Sequence, residues 1–162
     1  MKKIAIRISD EFQNHEALGF IQNYLTKQNL RHQILNTNAP LDFEDFQGYI
    51  AMLNSTDSEN LQADIIHFYS TSKPIAAFNE SAKQVAKHLK KMNPAIAVAA
   101  DDPEITYLNK IGIETEICPV DDFITDRYTK ILSSSLKLTD QQFDLKMQKG
   151  ISNLCKELVE MC

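Results

Sequence analysis

Apolar residues in this chain fall into short runs separated by longer amphipathic stretches. "KIAIRIS" (3–9) alternates as a strand does, and "HQILNT" (32–37), "GYIAMLN" (48–54), "PIAAF" (74–78), "AIAVAA" (95–100) and "ETEIC" (114–118) predict five more strands. Residues 14–28 carry Ala17, Leu18, Phe20, Ile21, Tyr24 and Leu25 at helical spacing. Helices are also predicted over 58–71, with Leu61, Ile65 and Phe68 on one face, and over 80–91, with Ala82, Val85, Ala86 and Leu89. Asp102-Pro103 opens a further helix that Gly112 stops. "FITD" and "KILSS", either side of Tyr128, read as a β-hairpin, and 140–161 as a last helix with Phe143, Met147, Ile151, Leu154, Leu158 and Met161. Such alternation predicts an α/β three-layer sandwich: a mostly parallel sheet with helices on both faces, plus the C-terminal β-hairpin.

Composition narrows the function classes. The 162 residues, 43% of them hydrophobic, suit a single domain over 1–162, and no repeat, low-complexity tract or linker interrupts them. A net charge of −5 argues against nucleic acid or an anionic membrane as partner. The most basic stretch, with Lys83, Lys87, Lys90 and Lys91, reads as the solvated face of a helix. No apolar run reaches membrane-spanning length, and the run after Lys2-Lys3 is short and alternating, unlike a signal peptide. Cys118, Cys155 and Cys162 form no CxxC and no disulfide framework, so a reduced, cytoplasmic protein is expected. His32, His67 and His88 share no metal-ligand spacing. With only four glycines and no G-x-G-x-x-G or Walker loop, the chain lacks the usual cradle for a dinucleotide or NTP, and no cofactor is expected.

One stretch is distinctive. "ICPVDDFITDRYTKILSS" (117–134) resembles the C-terminal segment C-P-V-D-D-x-x-x-D-x-x-x-K-I of the enhancing-lycopene-biosynthesis (Elb-type) proteins. Cys118, Pro119, Val120, Asp121, Asp122, Asp126, Lys130 and Ile131 fit it without a gap. "KKIAI", "NHEALGFIQNYL" with His15, Glu16 and Ala17, "GYIAML", "SKPIAAFN" and Gly150 agree in order, so the resemblance covers most of the chain. It implies the PfpI-like superfamily and its flavodoxin-like, class I glutamine amidotransferase-like fold. It also implies an association with isoprenoid metabolism and weak glyoxalase-like activity.

The departures bear on chemistry. The seventh residue of the family's K-P-x-x-x-x-C run is the cysteine nucleophile; counted from Lys73, that position is Asn79. The glycine-rich loop after the third strand is replaced by Leu53-Asn54-Ser55-Thr56-Asp57, and an insertion after the second strand is missing, so the chain is shorter than typical members. A carboxamide is no substitute for a thiolate in covalent catalysis. Asparagine does tolerate the positive φ of a nucleophile elbow, the sharp strand-to-helix turn. The resemblance matches Glu16 to the glutamate beside the family's cysteine, so Asn79 is expected near it, donating its amide to the carboxylate. The simpler alternative makes Asn79 an N-cap with Glu80 in the first helical turn, and Glu16 a first-turn acid. His15 is expected at the surface or capping, and Asp121 and Asp122 capping the hairpin rather than paired in a cleft. The degenerate-site candidates are therefore Glu16, Asn79 and Glu80. The reading is a catalytically inactive homologue with a binding or regulatory role, a homodimer with a small-molecule ligand near Glu16 and Asn79. Its alternative is a small-carbonyl enzyme using Glu16 as general base.

Overall fold

The computed structural model describes residues 2–42, 46–54, 60–139 and 142–162. The first half of the chain runs β1 (Lys3–Ile8), α1 (Glu16–Lys27), β2 (Arg31–Leu35), β3 (Gly48–Met52), α2 (Leu61–Ser70), β4 (Ile75–Phe78) and α3 (Glu80–His88). It continues with β5 (Ala95–Val98), α4 (Ile105–Lys110), β6 (Glu114–Ile117), β7 (Ile124–Asp126), β8 (Ile131–Ser134) and α5 (Leu145–Met161). A six-stranded sheet has the order β2-β1-β3-β4-β8-β7, parallel except for the β7–β8 hairpin. β5 and β6 form a separate parallel pair. That pair is tied to the main sheet through β5: the Ala97 amide donates to Ser133 Oγ at 2.8 Å and the Ala95 amide to Asp126 Oδ2 at 2.9 Å.

The central strands are apolar on both faces because both faces are covered. Ile4, Ile6 and Ile8 pack with Ile21, Leu25, Ile151 and Leu158 on the α1–α5 side. Ala5, Tyr49 and Ala51 pack with Phe68, Val85 and Ile96 on the other. β1 therefore has no solvent face, yet it carries Arg7, which is fully buried. Its guanidinium grips Asp64 through Nε at 2.9 Å and Nη2 at 2.8 Å, while the Tyr49 hydroxyl donates to the same carboxylate at 2.6 Å. Arg7 Nη1 donates to the carbonyls of Asn36, at 2.8 Å, and Ala39. Burial pushes the Asp64 carboxyl up, and the bonds from Tyr49 and Arg7 pull the other way without cancelling it.

The expected hairpin is present. Asp122 Oδ1 accepts from the Phe123 amide at 2.8 Å, the backbone-bonding use expected of it, while the turn between the hairpin strands is capped by Asp126, whose Oδ1 accepts from the Tyr128 amide at 3.0 Å. α5 sits directly on that turn. A Cβ added to Gly150 would lie 2.1 Å from the Val120 carbonyl oxygen, so only glycine permits the contact. α4 ends as expected at Gly112, whose φ of 98° suits glycine.

Two expectations need correction. α5 begins at Leu145 rather than 140, because Asp144 caps it by accepting from the Met147 amide at 3.0 Å; Asp140 and Gln141 lie outside the described residues. Lys83 is not on a solvated face. It is 3% exposed, with Nζ 2.7 Å from Asp102, 2.8 Å from Glu104 and 3.1 Å from Glu80. The helix turns this lysine inward because three carboxylates from α3 and the α4 entry converge on it. No described helix is long and apolar enough to cross a membrane.

Candidate functional site

The parallel strands β1, β3, β4 and β8 deliver their carboxyl ends to one end of the sheet, where ligands bind in open α/β folds. β4 ends at Phe78 and α3 begins at Glu80, so a single residue must make the whole turn. That residue is Asn79, with φ 42° and ψ −102°. A non-glycine backbone held there costs about 1–3 kcal/mol. The surroundings impose it. The Asn79 amide donates to the Ser134 carbonyl at 2.8 Å, and its own carbonyl accepts from the Lys83 amide at 3.0 Å. Buried Ser81 braces the turn from inside: its Oγ accepts from the Phe78 amide at 3.0 Å and lies 2.8 Å from the carbonyls of both Phe78 and Ala51.

A cavity of about 330 Å³ opens above this turn, lined among others by Asn79, Glu80, Glu11, Phe12, Leu53 and Leu138. Asn79 is 6% exposed, and its Oδ1 is buried without a hydrogen-bond partner. Asn79 thus occupies the N-cap position of α3 but makes no side-chain cap bond. Glu80 is half-buried in the first turn of α3 and pairs with Lys83. Burial alone would lower the Lys83 ammonium's pKa, but its bonds to Asp102, Glu104 and Glu80 win and raise it. That cation is saturated by carboxylates and is not among the residues that line the cavity.

Glu16 departs from expectation. It is exposed, and it lines a neighbouring recess with His15 and Phe143 rather than the Asn79 cavity. Among the described residues no hydrogen bond joins it to Asn79. The reason lies in the chain between β1 and α1. A 3-10 turn at Asp10–Phe12 drives Phe12 into the core, and His15 caps α1 by accepting the Ala17 amide on Nδ1 at 3.0 Å. Glu16 is left on the outer side of the first turn, the simpler of its two readings. Glu11, which the sequence did not single out, is the carboxylate that borders both spaces.

The loop after β3 differs from a glycine-rich anion cradle in what its first amide does. The Asn54 N–H donates to Ser9 Oγ at 3.0 Å, and the Asn54 carbonyl accepts from Gln84. Ser55, Thr56 and Asp57 lie outside the described residues. None of the three thiols lines the cavity. Burial pushes Cys118 up to about 11, aided by Asp122 and Asp121, and raises Cys155 to about 12 and Cys162 to about 11. All three are thiols at neutral pH and poor nucleophiles. Among the described residues no group of His, Cys, Asp and Glu is placed to hold a metal ion.

Solved structures share this architecture. An isoprenoid biosynthesis protein with an amidotransferase-like domain from Ehrlichia chaffeensis superimposes with a TM-score of 0.81 at 14% identity, covering 99% of each chain. The chain has the class I glutamine amidotransferase-like fold. DJ-1beta of Drosophila melanogaster shares the fold at TM-score 0.67 and 10% identity, over 97% of this chain and 90% of that one. A DJ-1 superfamily protein from Agrobacterium tumefaciens shares it at 0.68 and 12%, over 99% and 89%. These neighbours support, at the level of the amidotransferase-like fold, the Elb-type and PfpI-like resemblance carried by Cys118–Ile131. No protein-family model matches the chain, and no curated protein does.

Proposed function

We propose that this chain is a divergent Elb-type, PfpI-like protein that keeps the elbow pocket for binding and has lost thiol catalysis. One observation carries the reading. The strained strand-to-helix junction is retained in full, but its apex holds a buried, unpartnered carboxamide instead of a sulfur. A turn that costs free energy and performs no covalent step is still useful for presenting a polar group at a cavity floor. The setting we assign is a cytoplasmic homodimer with a binding or regulatory role linked to isoprenoid metabolism, the process that the Ehrlichia protein's description gives for that protein. The general-base alternative draws no support from Glu16, which is exposed and outside the Asn79 cavity.

The test is turnover of methylglyoxal, together with deglycase and amidase substrates, by the wild type and by Asn79→Cys. The wild type should show no thiol-dependent turnover. Asn79→Cys should give a reactive thiol but little turnover, because the Asn54 amide is already engaged by Ser9. Iodoacetamide-sensitive turnover in the wild type would overturn the reading. So would robust turnover in Asn79→Cys.

A further inference from the structure

The cap of α1 is a histidine, and its chemistry differs from that of an ordinary cap. The Ala17 amide donates to His15 Nδ1 at 3.0 Å, and Ala17 is fully buried while His15 is half-buried and open to solvent protons. A backbone N–H can only donate. Nδ1 therefore carries no proton, and the neutral ring holds its hydrogen on Nε2. Serine, threonine and asparagine caps accept at every ordinary pH, whereas a histidine accepts only while it is neutral. Histidine is also the side chain whose charge ordinarily changes between about pH 5 and 8.

His15 is more than a local cap. Its backbone amide donates to the Phe12 carbonyl at 3.0 Å, and its carbonyl accepts from the Leu18 amide at 3.1 Å. Its ring lies edge-on to two phenylalanines, with centroids 6.3 Å from Phe12 and 6.4 Å from Phe143. One residue thus joins the 3-10 turn, the first turn of α1 and the segment leading into α5. Phe12 lines both the Asn79 cavity and the neighbouring recess, so a displacement of His15 is felt at the wall between them. The charged residues lining that recess with His15, among the described residues, are Glu11 from the 3-10 turn and Glu16 from α1. Asp10 starts the same turn, and Asp144, beside Phe143, is held by the Met147 amide.

We propose that His15 is a proton-operated latch on this wall. Neutral, it caps α1 and holds the turn that carries Phe12 in place. Protonated, both ring nitrogens are donors, the Ala17 amide loses its acceptor, and a cation faces the positive end of α1. Glu11 and Glu16 offer the charged ring acceptors on the recess side. The ring leaves the cap for them, the first turn of α1 loosens, and the wall shared with the Asn79 cavity relaxes. The latch is closed at the alkaline end of the physiological range and opens as pH falls. The step is the transfer of one proton from solvent to Nδ1, and it does not depend on what the Asn79 cavity holds.

The experiment follows isotope-labelled protein by NMR from about pH 8 down to about pH 5. Imidazole nitrogen shifts should show His15 as the Nε2–H tautomer at the alkaline end. As the ring takes up its proton, the protection of the Ala17 amide against exchange should fall about five- to tenfold, the worth of one cap. The Glu11 and Phe12 amide resonances should move with the same midpoint. His15→Asn supplies a capping acceptor that does not titrate, and should keep the Ala17 protection flat across the range. His15→Ala should leave it low at every pH; if that variant does not fold, the contrast between the wild type and His15→Asn decides alone. An Nδ1–H tautomer at the alkaline end, or Ala17 protection that stays constant in the wild type, would overturn the proposal. So would an equal loss of protection in His15→Asn, which would assign the response to the carboxylates instead.

Discussion

Arg7 and Asn79 are buried to nearly the same degree, yet they are opposite kinds of polar site. Around Arg7 every group is answered: the guanidinium takes Asp64 and two carbonyls, and the carboxylate takes Tyr49 as well. Around Asn79 the backbone is strained and the side-chain oxygen goes unanswered. A closed polar network specifies which strands and loops meet, here β1, β3, α2 and the turn after β2. An open one leaves a desolvated oxygen unpaired, a cost that a core seldom carries.

The largest effect should come from breaking the closed site. Arg7→Leu leaves the buried Asp64 carboxylate with the Tyr49 hydroxyl but no cation, removes a donor from the carbonyls of Asn36 and Ala39, and should cost about 3–5 kcal/mol in denaturant unfolding. Wild-type stability in that variant would remove the contrast. Next is Gly150→Ala, which forces a methyl onto the Val120 carbonyl and should cost about 2–3 kcal/mol, read from the unfolding midpoint. Lys83→Met should cost about 2 kcal/mol, chiefly by leaving the buried Asp102 unpaired. Burial raises the Asp102 carboxyl, but the bonds from Lys83 and the Glu104 amide win and hold it below the ordinary range. Its contribution is therefore fully present above the unfolded value of about 4 and is lost as pH falls through the lowered folded value. Lys83→Met should flatten that acid limb, and an unchanged acid profile would place the dependence elsewhere. The smallest effect belongs to the open site: Asn79→Gly should alter stability by less than about 1 kcal/mol, because relief of the positive φ offsets the added chain entropy. A large loss there would show that Asn79 is a structural member after all.

The fold was legible because its strands are apolar on both faces and its helices keep a clean period. The hairpin was legible from "FITD" and "KILSS" either side of Tyr128, but the close approach of Gly150 in α5 to the Val120 carbonyl was not. The strain at Asn79 could be read from one residue type at the end of an apolar run. The neighbours of Asn79 could not. Whether Glu16 or Glu11 reaches the cavity depends on a 3-10 turn of three residues, and that turn depends on Phe12 finding the core. Lys83 looked like part of a basic face because its partners Asp102 and Glu104 come from another helix entry. Arg7 did leave a signal: a cation in a strand with no polar face needs a buried partner, and only the fold says that it is Asp64.

The serine two positions past the elbow decides how freely this end of the fold can change its chemistry. Ser81 Oγ engages the amide and carbonyl of Phe78 and the carbonyl of Ala51 on the adjacent strand, sharing its single proton between the two carbonyls. None of those bonds involves the side chain at position 79. The turn is thus a socket, clamped from behind, whose apex residue can be exchanged without rebuilding the joint. Any residue tolerant of the left-handed backbone fits there, and a lineage can pass from reacting with a molecule to merely holding one by a change at one position.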